Sequence, residues 1–156
     1  MSAAAVLAGD TARDVVARSC LALDEEDTEG FLALCTADFK YRIEVDSPEL
    51  RRKQLWLDHD RDGLAELLGS MSDHLRRSGR LLRHLGASIC HERNVGVLHV
   101  STSFTVLHTA LDGSTALWAA GRYLDTVTLV DGAALLAQRL VDLHTRDLGI
   151  GSHVPI

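Results

Sequence analysis

The stretch "TALWAAGRYLDTVTLVDGAALLAQRLVDLHT", residues 115–145, decides the fold of this chain. It holds two long segments rich in apolar and β-branched residues, and Asp131–Gly132 between them is a strong hairpin signal. Two similar segments precede it, at 81–92 and 95–111. Further turn signals separate these segments: Arg93–Asn94 and Asp112–Gly113. The second half of the sequence therefore predicts an antiparallel meander of four long strands.

The first half of the sequence predicts mostly helices. One helix begins at Thr11, a plausible N-cap, and runs to an acidic turn, after which a second, short helix covers 28–38. Alternating apolar and polar residues over 39–47 predict a half-buried strand that stops before Pro48. A third helix ends at Gly79, and its apolar face consists of Leu64, Leu67, Leu68, Met71 and Leu75.

Helices followed by an antiparallel meander indicate an α+β fold. In such a fold the N-terminal helices cover one face of a curved, mainly antiparallel sheet. The chain has 156 residues, 46% of them hydrophobic, which is long enough to bury one core, and no linker-like segment interrupts it. We therefore predict a single domain over residues 1–156, with residues 1–10 flexible.

The charge balance restricts the partners of the protein. The chain has 16 Lys and Arg residues against 22 Asp and Glu residues, so its net charge is −6. This charge argues against nucleic acid or an anionic membrane as the main partner. The N-terminal "MSAAAVLAG" lacks a basic residue and is too short for a signal sequence or a membrane span. We expect a cytoplasmic protein.

Metal ligands and cofactor motifs are not suggested by the residue spacings. The eight histidines include no HExxH pattern, and no P-loop, GxSxG or GxGxxG stands in a usable context. Cys90 and His91 are adjacent, so they would point to opposite faces of a strand, and no second Cys-His pair accompanies them. The odd number of cysteines predicts buried apolar residues at Cys20, Cys35 and Cys90. We expect no metal and no cofactor in this chain.

Two polar pairs leave acid–base chemistry open. Ser103 shares a strand face with His99, and Asp142 shares one with His144, because residues an even number apart on a strand point the same way. Either pair could be a pocket base with its orienting partner, or a hydrogen-bonded pair at an interface or a strand edge. We favour the second interpretation, because no further catalytic group is located by spacing.

Large aromatic and arginine side chains suggest contact surfaces as well as core. Trp56, Trp118, Arg122 and Tyr123 are compatible with either location. Arg139 lies on an apolar strand face, so it is either a buried arginine with an acidic partner or the polar end of a contact surface.

Several short motifs, in order, resemble the small β subunit of Rieske-type aromatic-ring-hydroxylating oxygenases. They are "SPELR" (47–51), "WLDHD" (56–60), Arg83–His84, "GRYLD" (121–125) and "RLVDLHTRDLGIGSHVPI" (139–156). Within this group the sequence is most similar to the β subunits of alkanesulfonate-type (methanesulfonate) monooxygenases, in which "SPELR", a Trp and "HDR" also occur. The resemblance extends from about Ala12 to the end of the sequence.

This resemblance implies a cystatin-like cone of the nuclear transport factor 2-like superfamily. It implies a non-catalytic β subunit that binds other β subunits and the catalytic α subunit, usually as α3β3, in the hydroxylation of an aromatic or sulfonated small molecule. The Rieske iron–sulfur cluster, the mononuclear iron and the substrate pocket would lie in the α subunit. The resemblance assigns the sheet and subunit contacts to Arg83, Arg122, Arg139, Asp142 and Arg146.

One residue departs from the pattern of the family. The family usually has "LDTR" where this chain has "LHTR", so His144 replaces an aspartate, and a neutral histidine weakens any pair with an arginine. The change leaves open a stand-alone isomerase, dehydratase or cyclase with the same cone, using His84, Asp142 and His144 as acid–base residues. A ligand-binding homo-oligomer without chemistry is a third hypothesis.

The C-terminal segment is unusually apolar. The resemblance implies that Thr145 and Arg146 finish the last strand, while Gly149 and Gly151 permit a turn and residues 154–156 form an apolar end. We expect an ordered terminus packed on its own sheet or on a neighbouring subunit.

Overall fold

The computed structural model of this protein describes residues 2–70, 78–149 and 155–156. The helices in these ranges are α1 (Ala3–Asp24), α2 (Thr28–Ala33) and α3 (Arg61–Gly69). The strands are β1 (Cys35–Ser47), β2 (Arg52–Asp60), β3 (Arg80–Asn94), β4 (Val97–Thr109), β5 (Thr115–Val130) and β6 (Ala133–Leu143).

The strands form one mixed sheet in the order β2-β1-β6-β5-β4-β3. Strands β3 to β6 are the predicted meander, and each pairs with its successor in antiparallel register. Strand β1 pairs with β2 antiparallel and with β6 parallel, so the first and last strands of the chain are neighbours, and only β2 lies beyond them on that side of the sheet. The predicted α+β fold with a mainly antiparallel sheet is confirmed.

Helix α1 covers one face of this sheet, which we call the inner face. The helix contacts β3, β4 and β6, and the side chain of Ser2 caps its first turn by accepting a hydrogen bond from the Ala5 amide at 3.2 Å. Its buried stripe has helical spacing and consists of Gly9, Ala12, Val15, Val16, Ser19, Cys20 and Leu23.

The opposite face of the sheet, the outer face, is not covered by the helices of the described ranges. Strand β4 shows the division, because its residues alternate strictly between fully and partly buried. The buried set of β4 points to the inner face and consists of Leu98, Val100, Thr102, Phe104, Val106 and His108. The outer set of β4 includes His99, Ser101, Ser103 and Thr105.

The helix boundaries differ from the predicted ones. Thr11 is not an N-cap, because its hydroxyl donates to the carbonyl oxygen of Leu7 at 2.8 Å inside α1. The helix includes residues 3–10, where Gly9 packs near Cys90 of β3, a tertiary contact that local pattern does not reveal. The second helix is also shorter than predicted. It ends at Ala33, because the following residues join β1 and the register pairs Cys35 with Leu136 of β6.

Strand β2 was not predicted, because its sequence lacks a regular alternation. It is an edge strand with largely exposed residues, and a turn with the Arg51 amide donating to the Pro48 carbonyl oxygen at 3.2 Å connects it to β1. Of the predicted third helix, residues up to Gly69 are observed as α3. Met71 and Leu75 lie outside the described residues.

Two strand ends also differ from the predictions. The turn between β3 and β4 lies at Val95–Gly96 rather than at Arg93–Asn94, with Gly96 at a φ of 75°. Strand β6 ends at Leu143, before His144 and Thr145. The ladder stops there because the Thr145 hydroxyl accepts from the Ala120 amide at 2.9 Å, in place of a backbone carbonyl.

Candidate functional site

A buried ion pair lies between the last two strands. The register places Asp125 of β5 directly opposite Arg139 of β6, and both side chains are 0% exposed. The guanidinium is bidentate: Nε donates to Oδ1 at 2.8 Å and Nη2 donates to Oδ2 at 3.0 Å. Burial raises the pKa of the Asp125 carboxyl, and the charge and hydrogen bonds of Arg139 oppose that rise. Arg139 is therefore a buried arginine with an acidic partner, one of its two predicted locations.

Aromatic rings enclose this arginine. Its Cζ lies 4.3 Å from the centroid of the Tyr123 ring, which stacks on Phe104 at a centroid distance of 4.1 Å. Within the described part of the chain, Arg139 Nη1 and the Tyr123 hydroxyl have no hydrogen-bond partner. Tyr123 is thus a core residue, and its ring holds the guanidinium in a place without access to water.

Arg83 connects three parts of the chain. Its Nη1 lies 2.5 Å from Oδ1 of Asp24 at the end of α1, and its backbone amide donates to the same carboxylate at 3.0 Å. Its Nη2 donates to the carbonyl oxygen of Pro155. The Arg83 side chain is 0% exposed, so this residue stabilises the packing of β3, α1 and the C-terminal residues rather than a surface.

The C-terminal residues are packed inside their own chain. Ile156 is 1% exposed, and its backbone oxygen accepts a hydrogen bond of 2.7 Å from the hydroxyl of Tyr41, which is itself fully buried. Before this point, the carbonyl oxygen of Leu148 accepts from Trp118 Nε1 at 3.0 Å, and Gly149 has a φ of 68°. Of the two predicted locations of the terminus, its own sheet or a neighbouring subunit, these described residues occupy the first. Gly151 and Val154 lie outside them.

A row of charged side chains crosses the outer face. Asp142 of β6 is opposite Glu44 of β1 on one side and Arg122 of β5 on the other. Lys53 of β2 places its Nζ 3.4 Å from Asp142 Oδ1 and 3.9 Å from Glu44 Oε2. We call these four residues, Glu44, Lys53, Arg122 and Asp142, the charged row.

Arg146, the last of the polar positions that the resemblance assigned, is on the surface. Its Nη1 lies 2.6 Å from Oε1 of Glu49, in the turn between β1 and β2, and this hydrogen bond lowers the pKa of the Glu49 carboxyl. The five positions that the resemblance assigned to sheet and subunit contacts therefore fall into a buried group and an exposed group. Arg83 and Arg139 are buried, whereas the exposed or half-exposed set consists of Arg122, Asp142 and Arg146.

The alternative catalytic set does not surround an interior pocket. His84 is exposed on β3, opposite Thr105 on the outer face. His144 Nε2 lies 3.9 Å from Oδ2 of Asp142, and the His144 side chain is 59% exposed. His84 is separated from β6 by strands β4 and β5, so the structure does not bring these three residues together.

The other polar pair predicted from sequence also lies on the outer face. His99 and Ser103 are both partly buried there, and His99 is opposite His91 of the neighbouring strand. An open groove of about 680 Å³ borders this region and is lined by residues that include His91, Arg93, His99 and Gln138. Ser103 is not part of its lining.

The cysteines are free thiols. Cys20 and Cys35 are buried as predicted, whereas Cys90 is only partly buried. Burial raises the pKa of the Cys35 thiol to about 12, which makes it unreactive at neutral pH. Among the described residues, His, Cys, Asp and Glu side chains form no group of three or more that could hold a metal ion. None of the helices in these ranges has the length and hydropathy of a membrane-spanning segment.

Comparison with known proteins connects this geometry to a family. The sequence profile described as "Ring hydroxylating beta subunit" matches residues 18–148. The chain belongs to this family. It is accordingly a β subunit of a ring-hydroxylating oxygenase, and the α subunit of that enzyme is its partner.

Two relatives agree with this assignment of the β subunit. The chain is 37% identical over 134 residues to the 2-aminobenzenesulfonate 2,3-dioxygenase subunit beta of Alcaligenes sp, and the match covers 86% of this chain and 89% of the relative. The chain is 30% identical over 158 residues to the methanesulfonate monooxygenase hydroxylase subunit beta of Methylosulfonomonas methylovora, and the match covers 96% of this chain and 87% of the relative.

Solved structures show the same fold. The β subunit of a putative aromatic-ring-hydroxylating dioxygenase from Novosphingobium aromaticivorans superposes with a TM-score of 0.85 at 20% identity, covering 98% of this chain and 99% of that one. A Nostoc punctiforme protein with a cystatin-like fold superposes with a TM-score of 0.68 at 18% identity, covering 89% and 92%. The predicted cystatin-like cone is confirmed.

The structure also reveals three buried partner residues in this β subunit that sequence reasoning missed. Asp125, Asp24 and Tyr41 are the partners of Arg139, Arg83 and the C-terminal residues. For Asp125, the one signal in the sequence was its position inside the "GRYLD" motif. Asp24 and Tyr41 gave none, because their partners are far away in sequence.

Proposed function

We propose that this β subunit is a non-catalytic component of a Rieske non-haem iron oxygenase. It supports assembly of the catalytic α subunit, which carries the Rieske cluster, the mononuclear iron and the substrate pocket. The observation that supports this role most directly is that buried side chains fill the interior of the cone. The largest fully buried side chains, Arg139, Tyr41 and Tyr123, fill the interior together with Ile156, so the space where a cone-shaped enzyme needs its substrate is occupied.

The second support is the location of the exposed polar positions. Arg122 and Asp142 lie on the outer face, and Arg146 lies just beyond the end of β6. The exposed leucines Leu55 and Leu124 are on strands of the same sheet. Charged groups that border apolar side chains are typical of the rim of a protein interface. We propose that this surface contacts the α subunit or other β subunits in an α3β3 complex in the cytoplasm.

The relatives indicate the class of substrate. One relative belongs to a dioxygenase of 2-aminobenzenesulfonate and the other to a methanesulfonate monooxygenase. We propose an aromatic or sulfonated small molecule as the substrate of the complete enzyme, with an aromatic sulfonate as the first compound to test because that relative is the more similar in sequence.

Co-expression tests this proposal. The chain would be produced with an α subunit that contains a Rieske motif and is encoded beside it, and the mass of the purified complex would be measured. We expect stable association, and oxygenation of the aromatic sulfonate that is lost when the β subunit is omitted. Failure of the two chains to associate, or full activity of the α subunit alone, would contradict the proposal.

A further inference from the structure

The interior of the cone contains a site that receives Pro155 and Ile156. Two side chains donate hydrogen bonds to consecutive backbone oxygens: Arg83 to Pro155 and Tyr41 to Ile156. Both terminal residues are buried, and Ile156 belongs to the hydrophobic core. The pattern of two aligned donors in an apolar enclosure is that of a binding site for a short peptide.

The donors are held in place by the rest of the fold and not by the terminal residues. Arg83 is fixed by its ion pair with Asp24, and Tyr41 is in β1, which is paired on both sides, with its ring 6.5 Å from that of Phe39. Such anchored groups keep their position when the acceptors are removed. A chain without residues 155–156 would therefore contain buried donors without acceptors, each of which carries a desolvation cost.

Neighbouring groups make this interior more polar than an ordinary core. Within the described residues, Arg83 Nε, Arg139 Nη1 and the Tyr123 hydroxyl are buried without a hydrogen-bond partner. Arg139 of β6 is opposite Tyr41 of β1 in the parallel register, and its Cζ lies 4.3 Å from the centroid of the Tyr123 ring, so these side chains border the same interior. Once the terminal residues are removed, an interior with several unpaired donors would attract a molecule that brings acceptor oxygens together with apolar groups.

We propose that the interior of the cone is a binding site for an apolar group that carries two acceptor oxygens, and that Pro155–Ile156 is its resident ligand. Removal of these two residues leaves a site that binds the same dipeptide in trans. This inference does not rest on the proposed oxygenase function, because it concerns only contacts within the chain.

The test uses the chain truncated after Val154 and the dipeptide acetyl-Pro-Ile. Binding would be followed through the melting temperature and by ligand-detected NMR. A ligand of this size has an expected Kd on the order of 0.1–1 mM. The full-length chain is the matched control and should not bind, since its own terminal residues fill the site. Acetyl-Pro-Asp should bind at least about tenfold more weakly, because its carboxylate would replace the isoleucine side chain that packs in the hydrophobic core.

The substitution Tyr41→Phe tests whether the peptide binds at the proposed site. In the truncated chain it should weaken binding of acetyl-Pro-Ile about five- to tenfold, because one hydrogen bond is lost. Ser101→Ala on the outer face is the control and should leave binding unchanged. Equal affinity for Tyr41→Phe and its parent, or binding to the full-length chain, would overturn the proposal.

If the truncated chain does not fold by itself, a second measurement tests the proposal. Refolding from urea would then be compared with and without acetyl-Pro-Ile at millimolar concentration, with acetyl-Pro-Asp as control. Recovery of the folded state with acetyl-Pro-Ile alone supports the site. Recovery with both peptides, or with neither, contradicts it.

Discussion

Arg139 and Asp125 form a bidentate ion pair with both side chains fully removed from solvent, at 2.8 and 3.0 Å. The pair joins the last two strands of the meander at their centre. Because each charge has lost its hydration, the arrangement is stable only while both partners are present. The resemblance treated Arg139 as a candidate for subunit contact, but the structure places it in the core. The exposed candidates for subunit contact remain predictions.

Asp125→Ala should destabilise the isolated chain strongly. It leaves the guanidinium of Arg139 buried without an anion, which typically costs about 3–5 kcal/mol in the free energy of unfolding. Urea denaturation monitored by tryptophan fluorescence would measure the loss. The double variant Asp125→Leu with Arg139→Met should be much more stable than Asp125→Ala. A double variant as unstable as the single one would show that packing, and not charge, is responsible.

Arg146→Ala is a matched control for this experiment. Its partner Glu49 is exposed, and exposed ion pairs contribute little because water screens them. The urea midpoint of this variant should stay at the value of the parent chain. A large loss of stability would contradict the division between buried and exposed arginines.

Both tyrosines of the chain should resist ionisation in the folded state. Burial raises the pKa of Tyr41 and of Tyr123 well above the ordinary value of about 10. A folded pKa that exceeds the unfolded one provides stability that is complete below about pH 10 and decreases as the pH rises further toward the folded pKa values.

A spectrophotometric titration checks this expectation. Tyrosinate absorbance of the native chain should be absent at pH values where free tyrosine is ionised, and it should appear together with loss of the circular-dichroism signal. Tyr41→Phe should halve the final amplitude. Reversible ionisation of either tyrosine near pH 10 in the folded chain would be inconsistent with the described core.

Gly121→Ala should weaken the pairing of β5 with β6. A Cβ at this position would lie 2.4 Å from the carbonyl oxygen of Asp142 and 3.1 Å from the Cα of Leu143, so the backbone itself must move. The expected cost is about 1–3 kcal/mol in the free energy of unfolding, measured by urea denaturation.

Gly86→Ala is the matched control for the glycine variant. Its Cβ would lie 2.5 Å from the hydroxyl oxygen of Ser103, a side-chain atom that can rotate away, and its next contacts are at 3.7 Å. This variant should lose less than about 1 kcal/mol. If it were as unstable as Gly121→Ala, the clash with the backbone at Gly121 would not be the cause.

Arg122→Glu should impair assembly and not folding. The variant reverses the charge at position 122, so that Asp142 has an acidic neighbour on both sides, Glu44 on β1 and the new glutamate on β5. The urea midpoint of the isolated chain should change little, because Arg122 is exposed. The amount of α subunit that co-purifies with the chain should fall. Normal recovery of the α subunit would remove Arg122 from the proposed contact surface.

The sequence alone determined the succession of elements except for β2. Alternating apolar residues and the two Asp-Gly turns are local signals, and they gave the meander of β3 to β6 and the apolar stripe of α1. The order of the motifs gave the family. Local pattern missed β2, because an exposed edge strand buries too little for an alternation to appear in its residues.

Only the tertiary structure decided the partners of the buried charges. Counted from the Val130–Ala133 pair at the hairpin, Arg139 would be opposite Leu124, but a bulge between Thr126 and Val127 shifts the register by one residue and gives it Asp125. Likewise, the hydrogen bond of Arg83 with Asp24 joins residues 59 positions apart, and that of Tyr41 with Ile156 joins residues 115 positions apart. Such contacts depend on how strands and helices meet in space, and the desolvation that makes them strong exists only in the folded chain.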